Sequence, residues 1–267
     1  MIRLDMQEMK IGIFDSGIGG LSVLYEAMKT FPTEQFIYYA DEVHVPYGEK
    51  TQEEIQGYVE AVVEFMLERH VKAIVIACNT ATSVSVKALR ERYDIPIIGM
   101  EPAVKKAIDL YGEKRVLVTA TPITVKGAKM KLLVEKVDKH HLADLVALPG
   151  LVRFAEKEEF APQTVSAYLK EALGERKWED YSSLVLGCTH FNYFKDSFRQ
   201  VLPEHVKFVD GNAGTVAQLG RKVQERDLQE KLPQSVEYFF SGIPCNEVQL
   251  HQIDRLLDRL KKMHDIC

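Results

Sequence analysis

The sequence lacks the features that mark membrane, exported and nucleic-acid-binding proteins. None of its 267 residues belongs to an apolar run of 18 or more, so we expect no transmembrane helix. The segment Met1–Lys10 is of mixed charge and has no apolar core, so we expect no signal peptide. The formal net charge of -5 does not favour nucleic acid or an anionic membrane as a partner. These absences predict a cytoplasmic protein.

The sequence is also poor in cysteine. It has four, Cys78, Cys188, Cys245 and Cys267, which in a chain of this size and class do not indicate a disulfide framework. No CxxC or HExxH spacing occurs, so thiol redox and zinc-enzyme motifs have no support. A zinc site built from Cys78, Cys188 and His190 stays open as a minor alternative. We expect no metal, and the context of each cysteine must indicate its role.

Short apolar runs alternate with helical patterns along the chain. Most runs are β-branched and do not alternate with polar residues, which is typical of strands buried on both faces. The predicted strands are Ile11–Phe14, Phe36–Tyr39, Ala73–Ala77, Ile95–Ile98, Val116–Thr119, Leu145–Leu148, Leu184–Leu186, Val206–Val209 and Val236–Phe240. The predicted helical stripes are Ile55, Val59, Val62, Val63 and Met66 within 52–69, and Leu250, Ile253, Leu257 and Leu260 in the last helix. The alternation predicts an α/β fold of mainly parallel sheets flanked by helices.

Two distant segments of the chain resemble each other. Residues 74–80 (IVIACNT) and 184–190 (LVLGCTH) each consist of an apolar strand, a small residue, a cysteine and polar residues at a helix entry. A weaker similarity relates residues 14–17 (FDSG) to residues 209–211 (VDG). Two copies are too few for a solenoid. They predict two similar α/β halves that face each other.

Cys78 and Cys188 each follow a predicted strand, at the edge where open α/β sheets bind ligands. A thiol at a helix entry lies near the positive end of the helix dipole, which favours the thiolate. Two such thiols can face one carbon from opposite sides, so that one removes a proton and the other returns one. A single cysteine is more often a small buried hydrophobe, but the matched pair favours catalysis. Cys245 and Cys267 lack this context and are predicted to be structural or incidental.

A glycine-rich segment, Asp15–Gly20, follows the first predicted strand. It is not a P-loop, because no Gly-Lys-Ser/Thr follows. It is not a dinucleotide fingerprint either, because Ser22 stands in place of the third glycine. Asp15 is predicted to accept a proton or orient an ammonium group. For both Asp15 and Ser16 the alternative is a helix cap.

Other polar residues lie near predicted strand ends. Pro46-Tyr47-Gly48 is a rigid turn whose N–H groups and aromatic ring can line a small pocket. Thr121 and Thr124 supply hydroxyl groups, with helix capping as the alternative. His190 lies two residues after Cys188 and can polarise its thiol or donate a proton. Glu156 belongs to a charged run that suggests a solvated helix face first.

Together these motifs resemble those of the glutamate racemases. The segments that carry the resemblance are IGIFDSGIGGLSVL (11–24), PYGEKT (46–51), VIACNTAT (75–82) and LVLGCTHF (184–191). They occur in the family's order and spacing and span most of the chain, and the CNT and GCTH motifs are highly specific as a pair. The related aspartate racemases carry an acidic residue in place of His190, so His190 favours glutamate as the substrate.

The resemblance implies two similar α/β domains with the active site in the cleft between them. Residues 1–99 and 211–267 would form the domain of Cys78, and residues 100–210 the domain of Cys188. It further implies a homodimeric isomerase that interconverts L- and D-glutamate without pyridoxal phosphate or metal. The D-glutamate would serve cell-wall peptidoglycan synthesis.

The resemblance also implies roles for individual residues. Cys78 would act on the D-enantiomer with the help of Asp15, and Cys188 on the L-enantiomer with the help of His190 and Glu156. The residues implied to bind the amino acid are Asp15, Ser16, Tyr47, Gly48, Asn79, Thr80, Thr121, Thr124, Thr189 and His190.

A few positions depart from the family's usual pattern, and none of them is a proton-transfer residue. They are Glu42-Val43-His44, Met100-Glu101-Pro102, Asn192 and Asp210-Gly211-Asn212. Two alternatives from the residues stay open: a racemase of aspartate or a related small acid, and a non-catalytic amino-acid-binding paralogue.

Overall fold

The computed structural model describes residues 9–229 and 231–266. Its strands are β1 (Ile11–Asp15), β2 (Gln35–Ala40), β3 (Ala73–Ile76), β4 (Ile97–Gly99), β5 (Arg115–Ala120), β6 (Ala143–Ala147), β7 (Tyr181–Leu186), β8 (Lys207–Val209), β9 (Ser235–Phe240) and β10 (Ile243–Pro244). Its α-helices are α1 (Leu21–Thr30), α2 (Gln52–Leu67), α3 (Asn79–Arg92), α4 (Val104–Tyr111), α5 (Pro122–Lys126), α6 (Ala128–Val137), α7 (Pro149–Glu156), α8 (Pro162–Leu173), α9 (Lys195–Arg199), α10 (Asn212–Glu225) and α11 (Glu247–His264). The predictions for Cys267 and for residues 1–8 of the N-terminal segment lie outside the described residues.

The strands form two sheets. The larger sheet has the order β10-β9-β2-β1-β3-β4, and the smaller has the order β6-β5-β7-β8. All pairings are parallel except that of β10 with β9. The larger sheet draws its strands from residues 11–99 and 235–244, and the smaller from residues 115–209. The predicted α/β fold with parallel, helix-flanked sheets is confirmed. The domain boundaries at residues 99/100 and 210/211 stay a prediction.

All nine predicted strands form, each within a few residues of its predicted bounds. Every residue of the central strands β1 and β3 is buried, because helices cover both faces of the sheet. The tenth strand, β10, was missed by sequence reasoning. Its two residues, Ile243 and Pro244, are exposed at the sheet edge, so they carry no hydrophobic pattern.

The predicted apolar stripe is confirmed in α2 but only partly in α11. In α2 the buried residues are those of the predicted stripe, and a capping box between Thr51 and Glu54 fixes the start of the helix. In α11 the prediction was wrong for Leu250, which is exposed, and for Leu257, which is only partly buried. The buried face is instead Ile253, Leu256, Leu260 and Met263, and the helix packs against α1. The 3.6-residue period allowed both stripes, and the position of α1 selected one.

A buried ion pair lies at the amino end of the larger sheet, away from the strand ends that carry the cysteines. The Lys72 Nζ atom is 2.6 Å from Glu34 Oε2, and the two side chains are 0% and 6% exposed. We expect Lys72→Met to lower the free energy of unfolding by about 3–5 kcal/mol, because it leaves a buried carboxylate without its cation. Urea unfolding followed by circular dichroism measures this loss.

A matched control is available for that variant. Lys105 forms an exposed pair with Asp109, so Lys105→Met should change the stability by less than about 0.5 kcal/mol. The double variant Lys72→Met/Glu34→Leu should recover most of the loss, because it removes both charges. A loss below about 1 kcal/mol for Lys72→Met would contradict the expectation.

Candidate active site

A small cavity lies where the carboxyl ends of strands from both sheets meet. Its volume is about 20 Å³, which is room for one water molecule. Its lining includes Ser16, Tyr47, Gly48, Cys78, Asn79, Thr80, Thr121, Cys188, Thr189 and His190. The other candidates, Asp15, Thr124 and Glu156, do not line the cavity, but each is hydrogen-bonded to a residue that does. The structure therefore brings all the sequence-predicted site residues together.

Cys78 lies at the junction of β3 and α3. It is the N-cap residue of α3, and its Sγ accepts a hydrogen bond from the Ala81 backbone N–H at 3.4 Å. Its thiol also donates to Ser16 Oγ at 3.6 Å. Burial, and next the charge of Asp15, raise the pKa of the Cys78 thiol, and these two hydrogen bonds offset only part of the rise. Cys78 therefore rests as a thiol.

Asp15, at the end of β1, links the two halves of the site. Its Oδ1 accepts a hydrogen bond from the Ser16 backbone N–H at 2.7 Å, and its Oδ2 accepts one from Thr189 Oγ1 at 2.8 Å. The carboxylate is thus bonded inside the site, and the N-cap residue of α1 is Gly20 rather than Asp15. Burial raises the pKa of Asp15, although His190 and the hydrogen bond from Thr189 oppose the rise. The raised pKa makes it easier for this carboxyl group to hold a proton.

Cys188 begins a second chain of contacts. Its Sγ lies 3.7 Å from His190 Nδ1, and His190 Nε2 lies 2.5 Å from Glu156 Oε1. Burial alone lowers the pKa of His190, but the hydrogen bonds to Cys188 and Glu156 outweigh it and hold that pKa well above its ordinary value. The imidazole therefore carries a proton beside the Cys188 sulfur atom. The predicted helix entry after Cys188 is present, with Cys188 as the N-cap residue of a 3-10 helix over residues 189–194, and α9 follows from Lys195.

The charged neighbours of Glu156 in the sequence suggested a solvated helix face. In the structure its side chain instead faces the site and is mostly buried. Its Oε1 also accepts a hydrogen bond from the Ile18 backbone N–H at 3.1 Å. Glycine is needed next to both members of the His190–Glu156 pair. A Cβ at Gly17 would overlap Glu156 Oε1, and one at Gly19 would overlap the His190 ring and Thr189 Oγ1. The glycine-rich segment thus lets the backbone of one half approach the catalytic candidates of the other.

Hydroxyl and amide groups cluster on the opposite side of the cavity. Thr121 Oγ1 lies 3.0 Å from both Thr80 Oγ1 and Thr124 Oγ1, so these hydroxyls bond to one another across the two halves. Neither Thr121 nor Ser16 caps a helix with its side chain. Among the described residues, Asn79 Oδ1 is buried without a hydrogen-bond partner, which leaves it free for an amino group.

Sequence reasoning missed several residues that hold this site. Tyr38 donates from its hydroxyl to the Gly17 carbonyl at 2.8 Å, and Tyr193 donates to the Ile18 carbonyl at 2.9 Å. Asp41 accepts a hydrogen bond from Tyr47 at 2.6 Å. The contacts of Tyr38 and Tyr193 join residues 21 and 175 positions apart and depend on the tertiary fold, whereas Tyr47 lies only six residues after Asp41. The tyrosines lie in or next to apolar stretches of the sequence and resemble ordinary core residues there.

Two negative findings concern the described part of the chain. Across residues 9–229 and 231–266, no group of three or more His, Cys, Asp or Glu side chains could hold a metal ion. Within the same ranges, no helix has the length and apolar character needed to cross a bilayer.

Glu42, one of the departures from the family pattern, is half-buried near Glu156. Burial, and then the charge of Glu156, raise the pKa of Glu42 from 4.5 to about 7. The folded state therefore holds this proton more tightly than the unfolded state. The resulting stability is fully present below pH 4.5 and is lost as the pH rises through about 7.

We therefore expect Glu42→Gln to be more stable than the wild type at pH 8.5. Since Glu42 is partly exposed and screened, the gain should be about 1 kcal/mol or less, and it should vanish near pH 4. Thermal unfolding at several pH values measures the difference. Glu91→Gln, at an exposed position of α3, is the control and should show no such trend. A gain in stability of Glu42→Gln that is independent of pH would contradict the expected pH dependence.

Comparison with known proteins agrees with this geometry. The sequence profile of the Asp/Glu/hydantoin racemase family matches residues 22–219. A glutamate racemase of Campylobacter curvus (strain 525.92) is 53% identical over 265 residues, which cover 97% of this chain and 100% of that protein. Glutamate racemase 2 of Bacillus subtilis (strain 168) is 45% identical, with 96% and 99% covered. The crystal structure of Escherichia coli glutamate racemase in complex with L-glutamate and the activator UDP-MurNAc-Ala has a TM-score of 0.83 at 30% identity, with 94% and 95% covered.

The profile match includes both Cys78 and Cys188 and spans well over half of the chain. The identities to these relatives extend over nearly the full length of both partners. The chain therefore belongs to the Asp/Glu/hydantoin racemase family and, within it, to the glutamate racemases.

Proposed function

We propose that this protein interconverts L- and D-glutamate by moving the α-proton between two thiols. One observation carries the proposal: Cys78 and Cys188, which follow strands of different sheets, line the same cavity. Inversion at carbon needs a group on each face, because a single base tends to return the proton to the face it came from. The full-length similarity to glutamate racemases supports glutamate as the substrate.

The proton transfer balances over two steps. The Cys188 thiolate takes the α-proton of L-glutamate, and the electron pair of the C–H bond stays on the α-carbon. The Cys78 thiol then gives its proton to the opposite face, so D-glutamate forms while Cys188 ends as a thiol and Cys78 as a thiolate. One proton must move back before the next turnover. His190, beside Cys188, can relay it by releasing the proton that it already carries, and Asp15, near Cys78, can accept one.

Substrate binding depends mainly on hydroxyl, amide and backbone groups. The cavity lining contains neither Lys nor Arg, and its cationic side chain is the protonated His190. Preorganised donors in a water-poor site can hold a carboxylate and stabilise the charge that develops next to it. The cavity of about 20 Å³ is too small for glutamate, so the two halves must separate to admit it and close again for the reaction.

The proposal extends to the domain division, the oligomeric state and the cellular role of the protein. Residues 1–99 and 211–267 would move as one domain and residues 100–210 as the other, a division supported by the chain segments that supply each sheet. A cytoplasmic homodimer that needs no cofactor and supplies D-glutamate to peptidoglycan synthesis is the arrangement that the family resemblance supports.

The test is to incubate the protein with L-glutamate in heavy water without any added cofactor. Optical rotation should decay to zero, and the D-glutamate formed should carry deuterium at its α-carbon. If folded and reduced protein gives neither inversion nor exchange, glutamate is the wrong substrate. Aspartate and related small acids would then be assayed, followed by amino-acid binding without exchange.

A further inference from the structure

We infer that Asp41 is a positioning residue that acts through Tyr47. Its carboxylate fixes the tyrosine ring as a wall of the cavity that holds Cys78. The inference rests on the proposed racemase function for its kinetic consequence, but the positioning itself can be measured without turnover.

Asp41 is placed by the strand that it follows. Its backbone N–H donates to the Asp15 carbonyl at 3.0 Å, directly after β2, so Asp41 lies at the same sheet edge as the catalytic candidates. The residue is 3% exposed. A carboxylate at this depth is costly unless hydrogen bonds compensate it.

Three side chains provide that compensation. Tyr47 donates from its hydroxyl to Oδ2 at 2.6 Å, and Ser241 donates to Oδ1 at 3.2 Å. His44 Nδ1 lies 2.8 Å from Oδ2, and the His44 ring stacks on Tyr58 with 3.7 Å between the centroids. Asp41 is therefore held from three sides, and the bond to Tyr47 is the shortest of the three contacts.

Tyr47 connects Asp41 to the cavity. Its side chain is almost fully buried, its ring packs against Phe14, and it lines the cavity together with Cys78. Burial, and next the charge of Asp41, raise the pKa of Tyr47, so the hydroxyl stays protonated and donates. The neighbouring Gly48 lies against Thr121, so the turn that Asp41 anchors also abuts the other half of the site. Without the carboxylate, the tyrosine hydroxyl would be buried without its acceptor, and the ring would lose its fixed orientation.

The first readout of the test is the rate at which iodoacetamide alkylates Cys78 in the folded wild type and in each variant. Mass spectrometry of the peptide that contains Cys78 measures this rate. Asp41→Leu and Tyr47→Phe should each accelerate alkylation about tenfold, and their combination should add nothing. Asp41→Asn keeps an acceptor oxygen and should stay close to the wild type. Ser241→Ala, which removes a different partner of the carboxylate, is the matched control and should change nothing.

The second readout is kcat/KM for glutamate. Asp41→Leu and Tyr47→Phe should each lower it roughly 10- to 100-fold without a further loss in the double variant, because a misplaced wall disturbs alignment for the reaction. Unchanged alkylation in Tyr47→Phe, or effects that multiply in the double variant, would overturn the inference. Wild-type protein that does not racemise glutamate would overturn only the proposed function, because alkylation still decides the role of Asp41. If Asp41→Leu does not fold, Tyr47→Phe alone decides it.

Discussion

Replacing either Cys78 or Cys188 by alanine should abolish racemisation of glutamate, with a fall in rate of about 10⁴-fold. Each thiol serves one face of the α-carbon, and both line one cavity from different halves of the protein. A positioned proton-transfer group contributes about 10²–10⁴-fold to the rate. We expect the upper end of this range, because no other thiol of the described residues lines this cavity. Polarimetry with each enantiomer measures the loss.

The two alanine variants should still differ in what they retain. Cys188→Ala keeps the thiol assigned to D-glutamate, so it should exchange the α-proton of D-glutamate with solvent while forming no L-glutamate. Cys78→Ala should show the opposite preference. Proton NMR in heavy water separates exchange from inversion.

Cys245→Ala is the matched control, since Cys245 lies outside the cavity. Its racemisation rate should stay within about twofold of the wild type. If either active-site alanine variant kept wild-type racemisation, the two-thiol mechanism would be falsified.

The sequence allowed much of this site to be anticipated, for a physical reason. Strands buried on both faces have continuous apolar sequences, so their ends, and hence Cys78 and Cys188, can be located by pattern alone. The repeated strand–cysteine segment then predicted two facing halves. The exposed edge strand β10 was missed because it has no pattern, and Leu250 was wrongly predicted to be buried because helical periodicity allowed two stripes.

The contacts that organise the cavity could not be derived from local patterns. Thr189 bonds Asp15 across the junction of the two halves, and His190 bonds Glu156, which lies 34 residues away in the same half. From composition Glu156 looked like one more solvated charge, and only the resemblance to a family assigned it to the site. Asp41 shows the same limit only in part, because His44 and Tyr47 lie three and six residues further along the chain and Ser241 lies 200 residues away.

The second large effect concerns Asp15. We expect Asp15→Asn to lower kcat/KM by about 10²–10³-fold, because an amide cannot take up the proton that the Cys78 thiol must release. The charge of Asp15 opposes thiolate formation at Cys78, and moving a proton onto this buried carboxyl group removes that opposition. An amide keeps the shape: its oxygen can accept from the Ser16 N–H and its NH2 group can donate to the Thr189 hydroxyl oxygen, so the variant should fold. Far-UV circular dichroism checks the fold.

The loss must be equal in both directions, because the two enantiomers have the same free energy in water. Rates alone therefore cannot show which thiol Asp15 serves, but isotope effects on kcat/KM can. If Asp15 serves Cys78, the step at Cys78 becomes rate-limiting in Asp15→Asn. Deuterium at the α-carbon of D-glutamate should then slow that variant more than deuterium in L-glutamate, while Glu156→Gln, which disturbs the His190 side, should reverse the order. Equal isotope effects for the two enantiomers in Asp15→Asn would mean that Asp15 does not act on one face only, and its role would reduce to holding Thr189 and Ser16 in place.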